Sequence, residues 1–388
     1  MTKPINILFI SHYSEMYGAN QSMLQLILEL RNNYNIQPVI LLRGRGTICE
    51  LLENEKIPYI ISHFYWWVNE NKGLFKRLLN YRKQIINLWR LNRILKLVEP
   101  FSIEIIYSNS VTINMGALLK KNLGIPHIWH FRESLESFKF KLSLGGSFSK
   151  IFLKKAADKY ILISEYLCKS YSNLLPCDRI QLIYNGIDFS NVKIRENRMH
   201  HTLNFCMVGL ISEQKNNLDA LKAIHILKTK YNVKSVKLHL IGGSKPDYIK
   251  MLKLYVTENK LEDNIIFHGH QLNVHELLET MNLGLMCSRD EAFGRVSVEY
   301  MMHSMPVLAS NSGANQEIVK DGTCGFIYDI YNADDLAKKI YRFIQEPGLL
   351  NVIGQSAYEY AKANFSSEQN TKAIYDLICE VLENNIHH

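Results

Sequence analysis

Short apolar runs rich in β-branched residues alternate with longer amphipathic segments along almost all of the 388 residues. This alternation is typical of parallel sheets covered by helices, because two parallel strands need a long, usually helical crossover to join them. The series occurs twice along the chain. The predicted strands cover residues 5–10, 38–42, 58–62, 103–108, 125–131, 159–164 and 179–184, and then 203–209, 235–242, 264–269, 283–288 and 305–310.

A polar, charge-rich stretch near residues 186–202 separates the two series and has no strand pattern. We therefore expect an α/β chain of two Rossmann-like domains, whose parallel sheets face a central cleft at their carboxyl ends, where such folds bind ligands. The domains are expected at residues 1–190 and 191–365. A C-terminal helix at 366–388 is expected to pack back towards the N-terminal domain.

The seven cysteines stand singly, and none forms a CxxC pair. An odd number of isolated cysteines argues against a disulfide framework and a zinc site, and it predicts a reducing, cytoplasmic compartment. No stretch reaches the ~18 apolar residues that a membrane span needs. The apolar run at residues 5–10 is too short for the core of a signal peptide.

Neither GxGxxG after the first predicted strand nor GxxxxGK[ST] anywhere is present, which removes the main support for NAD or P-loop binding. The first strand runs instead into a turn that carries Gly18 and Ala19 just ahead of a helix. A glycine at a helix N-terminus lets backbone N–H groups approach an anion. The turn is thus either an anion-binding turn or a simple connection.

Two glutamates, Glu291 and Glu299, follow the predicted strand at 283–288, with Gly294 between them. The glycine predicts a helix start, which places Glu291 in the loop and Glu299 about one turn into the helix. An ionised carboxylate accepts hydrogen bonds from neighbouring sugar hydroxyls, and the N–H groups of residues 294–296 suit a phosphate. By itself the segment is equally compatible with a ligand site and with two glutamates that bind nothing, one in a loop and one on the solvated face of a helix.

The second half of the chain resembles the retaining glycosyltransferases of family 4, which have the GT-B fold of two Rossmann-like domains. The matching motifs follow the family's order and are NGID at 185–188, VGLISEQKN at 208–216, LIGG at 240–243, FHG at 267–269, and the segments 291–310, 312–319 and 321–326. In the first half only YGA at 17–19 and WHFRE at 129–133 match. The resemblance is therefore specific for a donor-binding domain and weaker for the first domain.

The resemblance implies a role for each matching residue. Lys215 is expected on the donor diphosphate, Glu291 on hydroxyls of the transferred sugar, and Glu299 on the donor ribose. His130 matches the active-site histidine near the transferred sugar and the acceptor, with His127 as its main rival. The implied catalytic residues are thus His130, Lys215 and Glu291. The other implied donor-binding residues are Gly18, Ala19, Phe293, Gly294, Arg295 and Val296.

Some positions depart from the family pattern. Leu210 stands where the family commonly has the arginine that partners the lysine at the diphosphate, and Arg295 is our candidate replacement. Smaller departures are Cys287 for proline, Asn216 and Ala314 for glycine, and Tyr300 for alanine.

The resemblance implies a retaining hexosyltransferase that uses a nucleotide-diphosphate sugar, a UDP- or GDP-sugar above all, and a saccharide or lipid-linked acceptor. It would act in the biosynthesis of a bacterial surface polysaccharide or glycan. The sequence has no Asp-x-Asp, so we expect no metal and no cofactor. Two alternatives stay open: a non-catalytic GT-B scaffold or binding subunit, which Leu210 leaves possible, and a nucleotide-sugar epimerase.

Positive charge is concentrated in the first half. Residues 1–192 hold 24 Lys/Arg and 14 Asp/Glu, a net charge of +10, whereas the remaining residues hold 21 and 23, a net charge of −2. Residues 72–96 carry eight of these cations and residues 139–155 carry five, and neither segment has an acidic residue. Both segments also contain apolar residues near helical spacing. Residues 64–67 are all aromatic. Such segments suit an anionic membrane surface, at the inner face of the cell membrane. Sheet-covering helices with solvated lysines give the same pattern, and no nucleic-acid recognition motif accompanies the charge.

Overall fold

The computed structural model describes residues 3–69, 74–137, 139–143, 146–190, 192, 202–271 and 273–386, with the backbone alone at 74–78, 146 and 386. The chain divides into two units. The N-terminal unit comprises Met1–Gly186 and Ser367–His388, and the C-terminal unit comprises Ile187–Ser366. Most of the expected connecting stretch, residues 193–201, lies outside the described residues.

The first series of strands and helices belongs to the N-terminal unit. Its elements are β1 (Ile5–Ser11), α1 (Gly18–Tyr34), β2 (Ile36–Leu42), α2 (Thr47–Asn54), β3 (Tyr59–Ile61), β4 (Val68–Asn69), α3 (Leu74–Val98), β5 (Ile105–Asn109), α4 (Met115–Leu123), β6 (His127–Phe131), β7 (Lys141–Leu142), α5 (Gly146–Ala156), β8 (Lys159–Leu162), α6 (Glu165–Tyr171) and β9 (Ile180–Leu182). Seven strands form a parallel sheet in the order β3-β2-β1-β5-β6-β8-β9, while β4 and β7 pair separately as an antiparallel ladder. The strand order reverses between β1 and β5, which leaves a crevice at their carboxyl ends.

The C-terminal unit repeats this plan. Its elements are β10 (Leu203–Val208), α7 (Asn217–Thr229), β11 (Val236–Ile241), α8 (Pro246–Glu258), β12 (Ile265–Gly269), α9 (Val274–Leu278), β13 (Leu283–Met286), α10 (Arg295–Met302), β14 (Val307–Ser310), α11 (Asn315–Ile318), β15 (Gly325–Tyr328), α12 (Ala333–Gln345) and α13 (Gly348–Phe365). The parallel sheet has the order β12-β11-β10-β13-β14-β15, so its strand order reverses between β10 and β13.

The last helix, α14 (Ser367–Ile386), belongs to the N-terminal unit. Its buried face, with Ile374 and Ile378, joins the core that α1 builds on one side of the seven-stranded sheet. Tyr375 stacks on Tyr34 of α1, with ring centroids 4.3 Å apart, and Thr371 donates a hydrogen bond to Glu29 at 2.8 Å. Hydrophobic burial and these contacts fix the helix to α1.

The twelve predicted strands are all present among the described residues, and the α/β class with parallel sheets is confirmed. The strands could be predicted because many of them are fully buried, as Ile7–Ile10 is, and a strand covered on both faces is apolar throughout. The sequence interpretation missed the four-residue strand β15 and the β4–β7 ladder, which are too short to show a period. In the described parts of the chain, no helix combines the length and the apolar character that a membrane crossing requires.

Candidate functional site

In the C-terminal unit, Lys215 and Glu291 form an ion pair at the reversal of strand order. Lys215 lies in the loop after β10, and Glu291 lies in the loop after β13. The Nζ of Lys215 is 2.7 Å from Oε2 of Glu291, and the two side chains keep 27% and 20% of their exposure. A partly exposed cation and carboxylate at this edge can bind a phosphate and a sugar hydroxyl together.

Glycines allow the backbone to approach closely at this edge. Gly209 and Gly242 have φ of 128° and 145°, and a Cβ on Gly242 would lie 2.1 Å from the carbonyl oxygen of Gly209. The Cε of Lys215 lies 3.7 Å from the place of a Cβ on Gly209. The VG and LIGG motifs therefore carry glycine because no other residue permits this crossing.

Three segments of backbone set the position of Glu291. The N–H of Arg289 donates to the carbonyl of Gln214 at 2.9 Å, which ties the Glu291 loop to the Lys215 loop. The N–H of Ala314 donates to the carbonyl of Glu291 at 2.8 Å. Gly313 has φ of 60°, and a Cβ there would lie 2.4 Å from the backbone N and O of Glu291. Glycine is therefore required at this contact.

Helix α10 begins at Arg295, after Gly294 with φ of 83°. Its N-terminus favours an anion, as expected for the segment from Phe293 to Val296. The Phe293 side chain is buried and meets Phe365 edge-on at 5.7 Å, so a phosphate here would meet its backbone rather than its ring.

The Nε of Arg295 lies 2.8 Å from Oε1 of Glu299, one helical turn away. The candidate replacement for the missing arginine is therefore paired with the glutamate expected at the ribose. Arginine has five N–H donors, of which Nε serves the pair with Glu299. Leu210 itself is 49% exposed.

Two departures from the family pattern have a clear structural basis. Tyr300 is fully buried, and its hydroxyl oxygen accepts the N–H of Val208 at 2.8 Å. Gly284 makes room for the ring, since a Cβ there would lie 2.1 Å from it. Asn216 has φ of 51°, a conformation that asparagine adopts more readily than most residues after glycine.

In the N-terminal unit, the turn between β1 and α1 is held by Asn20. Its side chain accepts from the hydroxyl of Ser11 at 2.7 Å and donates to the carbonyl of Glu15 at 2.7 Å. Gly18 is the first residue of α1, and a Cβ on it would meet nothing within 4 Å. The carbonyl of Ala19 accepts from the Asn109 side chain at 3.1 Å, which links this turn to the end of β5.

The two histidines of β6 have different surroundings. Both ring nitrogens of His127 have close polar neighbours, the carbonyl of Ala156 at 2.7 Å and the hydroxyl of Ser108 at 2.8 Å. His130 contacts Tyr107 through Nδ1, and its Nε2 has no hydrogen-bond partner among the described residues. Burial lowers the pKa of both rings, that of His127 to about 4. His127 thus has a structural environment, whereas His130 is buried and neutral with its Nε2 outside any hydrogen bond of the described residues.

Three further residues belong to the same sheet region, Tyr107 in contact with His130 and His12 in contact with Glu133, and the sequence interpretation assigned them no role. They are Tyr107 of β5, His12 directly after β1, and Glu133 after β6. The Oε1 of Glu133 lies 3.5 Å from Nε2 of His12, and its Oε2 accepts the N–H of Val111 at 3.2 Å. Burial raises the pKa of Glu133 to about 7 and lowers that of His12 to about 3. For His12 and Glu133, the position just after the end of a strand was the available signal.

The expected residues divide between the two units. Gly18, Ala19 and His130 belong to the N-terminal unit. The expected residues of the C-terminal unit are Lys215, Glu291, Phe293, Gly294, Arg295, Val296 and Glu299.

The fold and these residues define a class that other solved structures share. The crystal structure of Anabaena Alr3699/HepE in complex with UDP and glucose matches 97% of this chain and 100% of that chain, with a TM-score of 0.80 and 20% identity. A glycosyltransferase structure from Rickettsia africae matches 99% of this chain and 100% of that chain, with a TM-score of 0.79 and 19% identity. The chain has the GT-B fold.

The sequence comparisons identify the family. The family model "Glycosyltransferase Family 4" matches residues 18–191, and "Glycosyl transferases group 1" matches residues 192–360. An uncharacterized glycosyltransferase of Methanocaldococcus jannaschii, MJ1178, is 30% identical over 80% of this chain and 86% of that protein. The capsular polysaccharide biosynthesis glycosyltransferase CapM of Staphylococcus aureus is 29% identical over 61% of this chain and 64% of that protein. This chain belongs to the group 1, family 4 glycosyltransferases.

Proposed function

We propose that this glycosyltransferase moves a hexose from a nucleotide-diphosphate sugar to a saccharide or lipid-linked acceptor, with retention and without a metal ion. The observation that carries the proposal is the Lys215–Glu291 ion pair at the reversal of strand order. The lysine offsets charge on the departing diphosphate, and the glutamate accepts hydroxyls of the sugar. Because CapM is a relative, a surface polysaccharide is the proposed product.

In the proposed step, the bond between the anomeric carbon and the diphosphate oxygen breaks. The bond to the acceptor oxygen forms on the same face of the sugar. The proton of the acceptor hydroxyl passes to the leaving phosphate. For His130 we propose the role that the resemblance implies, in which its Nε2–H donates a hydrogen bond to an oxygen of the sugar.

A UDP- or GDP-sugar is the proposed donor, and no metal is used. HepE, which has the same fold, was crystallised with UDP and glucose. The sequence lacks Asp-x-Asp, and within the described residues no three His, Cys, Asp or Glu side chains are placed to hold an ion. EDTA should therefore leave the rate of transfer unchanged. Loss of transfer with EDTA and its recovery with Mg²⁺ or Mn²⁺ would contradict the proposed metal independence.

The main test uses the whole chain with UDP-, GDP-, ADP- and TDP-sugars. A ligand at 100 times its Kd adds about 2.7 kcal/mol to the free energy of unfolding, so the true donor raises the melting temperature. Release of nucleotide with water as acceptor measures catalysis. Lys215→Met and Glu291→Gln should each lower it about 100-fold. Lys230→Met is the matched control, because Lys230 pairs with Asp334 at 2.9 Å on the surface of the same unit.

The same assay separates the alternatives. Donor binding without nucleotide release, with or without added methyl glycosides, would indicate a scaffold. An epimerised nucleotide sugar would indicate an epimerase. The anomeric configuration of the product, read by proton NMR, tests retention directly.

We further propose that the N-terminal unit docks on an anionic membrane. Helix α3 exposes Ile85, Leu88 and Trp89 at 50%, 51% and 77%, and α5 exposes Phe148 and Ile151 at 72% and 61%. Exposed cations accompany them on the same helices: Arg82, Lys83, Arg93, Lys96, Lys150, Lys154 and Lys155. Exposed apolar side chains with cations suit the interface of anionic lipids. Residues 72, 73, 144 and 145 of the basic segments lie outside the described residues.

Co-sedimentation with vesicles tests the membrane proposal. Binding to phosphatidylglycerol vesicles at low salt is expected, with weaker binding to phosphatidylcholine or at high salt. Leu88→Ser with Trp89→Ser should reduce it, whereas Leu254→Ser, 58% exposed in the C-terminal unit, should not. No sedimentation with anionic vesicles at low salt would refute the proposal.

A further inference from the structure

A buried carboxylate, that of Asp219, lies in the first turn of α7, the helix that follows the Lys215 loop. Asp219 is 4% exposed. Its Oδ2 accepts the side-chain amide of Asn216 at 2.6 Å and the backbone N–H of Tyr331 at 3.0 Å. Because a carboxylate loses its hydration when it is buried, hydrogen bonds of this kind must compensate it. Asp219 therefore joins Asn216 to the loop after β15.

Asn216 follows Lys215 directly and has the left-handed backbone conformation, with φ of 51° and ψ of 43°. Most residues other than glycine avoid this conformation, and asparagine adopts it when its short side chain forms a local hydrogen bond. The Asn216 side chain is buried, and Asp219 supplies that hydrogen bond. The N–H groups of Lys215 and Asn216 both donate to the carbonyl of Ser212, at 3.1 and 3.2 Å. The turn closed by Asn216 thus sets the direction in which the Lys215 side chain leaves the backbone.

The loop after β15 extends the same network to the Glu291 loop. The guanidinium carbon of Arg289 lies 5.1 Å from the ring centroid of Tyr331, which is a cation–π contact. The N–H of Arg289 donates to the carbonyl of Gln214 at 2.9 Å. The loops that carry Lys215 and Glu291 are therefore connected twice, once directly and once through Tyr331.

Capping of α7 alone does not account for the position of Asp219. A carboxylate in the first turn of a helix stabilises the helix through its dipole, even at the surface. Asp335 in the first turn of α12 shows this simpler arrangement: its side chain is 22% exposed, accepts the N–H of Asp329 at 3.0 Å and pairs with Lys339 at 2.6 Å. Asp219 instead is buried against a partner 112 residues away, and it holds the residue that follows Lys215.

We propose that Asp219 is a positioning residue for Lys215. Through Asn216 it holds the lysine in the ion pair with Glu291, at the place proposed for the donor diphosphate. The inference rests on the proposed function, and it adds to the reaction a residue that acts through its neighbour. A lysine that offsets the charge developing on the departing diphosphate acts mainly in the transition state. Loss of its position should therefore lower kcat more than it raises the KM for the donor.

The kinetics of nucleotide release, measured on the whole chain, test this role. Asp219→Ala should lower kcat about 30-fold and change the KM for the donor less than about threefold. The same substitution in the Asn216→Gly background should lower kcat less than about threefold, because glycine adopts the left-handed conformation without a side chain that needs an acceptor. This coupling arises only if Asp219 acts through Asn216.

Asp335→Ala is the matched control, because Asp335 is also a first-turn aspartate that accepts a backbone N–H from the loop after β15. It should keep kcat while it lowers the free energy of unfolding, measured in urea by circular dichroism. Asn216→Ala gives a second test if Asp219→Ala does not fold. It retains Asp219 but removes the side chain that Asp219 holds, and it should lower kcat about tenfold.

Carbon-13 NMR of lysine labelled at Cε gives a readout that does not depend on turnover. The Lys215 signal is assigned by its loss in Lys215→Arg. Asp219→Ala should shift this signal, because the ion pair of Lys215 with Glu291 changes. Asp335→Ala should leave the signal in place.

Three results would overturn the positioning role. They are a wild-type kcat in Asp219→Ala, an equal effect of Asp219→Ala with and without Asn216→Gly, and an unshifted Lys215 signal in Asp219→Ala. A wild-type chain that releases no nucleotide from any of the donor sugars contradicts the proposed function instead. In that case the Lys215 signal still decides whether Asp219 positions the lysine.

Discussion

The hydroxyl of Tyr107 lies 2.5 Å from Nδ1 of His130, on neighbouring strands of the N-terminal sheet. Burial raises the pKa of Tyr107 and lowers that of His130, so the phenol keeps its proton and the imidazole is neutral. We infer that the phenol donates to Nδ1 and that the ring proton resides on Nε2. Tyr107 thereby sets the tautomer that presents an N–H to the proposed sugar.

Tyr107→Phe should lower donor turnover about tenfold, because loss of the hydroxyl allows the other tautomer of His130. The ring would still pack on Phe9, whose centroid is 5.1 Å away. Nitrogen-15 NMR of the imidazole should show the change of tautomer, which loss of packing alone would not produce. Tyr59→Phe, at a hydroxyl bonded to Glu53, is the control. Unchanged turnover together with a changed tautomer would refute this role for Tyr107.

Buried histidines should make the N-terminal unit sensitive to acid. Burial lowers the pKa of His12 to about 3 and of His127 to about 4, and also lowers that of His130. Below pH 6.5 these three histidines therefore bind three more protons in the unfolded chain than in the folded protein. Glu133 has the opposite effect, because its raised pKa makes it bind one more proton in the folded state. The net difference of about two protons lowers the free energy of unfolding by roughly 2.7 kcal/mol per unit between about pH 6 and 5.

Urea unfolding followed by tryptophan fluorescence measures this loss. All four tryptophans, Trp66, Trp67, Trp89 and Trp129, lie in the N-terminal unit, so the signal reports on that unit. His127→Gln should reduce the slope by about one proton. Stability that stays constant from pH 7 to 5 would show that these rings are not neutral and buried in solution.

Gly313→Ala should reduce donor turnover about 100-fold, because a Cβ 2.4 Å from the backbone of Glu291 must displace the carboxylate. Gly322→Ala is the matched control: its φ of 76° imposes a similar backbone strain, but a Cβ there meets nothing within 4 Å. Gly322→Ala should lose about 1 kcal/mol of stability through its positive φ, and Gly313→Ala should lose more because its Cβ also meets backbone atoms. Equal turnover in the two variants would show that the contact with Glu291 is unimportant.

Arg295→Met tests whether this residue supplies the second cation at the diphosphate. We expect the KM for the donor to rise about tenfold, through loss of a charge-assisted hydrogen bond. Arg342→Met is the control, since Arg342 also pairs with a glutamate one turn away, Glu346, on the surface. Unchanged KM and turnover would contradict this role for Arg295, and Lys215 would then be the proposed cation at the diphosphate.

The strands could be predicted because each is a local pattern, and the loop position of Glu291 followed from the glycine after it. The ion pair of Arg295 with Glu299 is equally local, since the two residues are one helical turn apart. It was not predicted, because both residues were assigned to ligands instead. Tyr107, His12 and Glu133 could not be found together, since each is an ordinary residue until the sheet places Tyr107 against His130 and His12 against Glu133.

The sequence alone determined the two α/β series and the motif that marks the family, because apolar periodicity and short-range spacing are written along the chain. Only the tertiary structure decided which residues meet. Lys215 and Glu291 are 76 residues apart, and Tyr107 and His130 are 23 apart. The strand order of a parallel sheet places the carboxyl ends of sequence-distant strands side by side, and that order is set by packing across the whole unit.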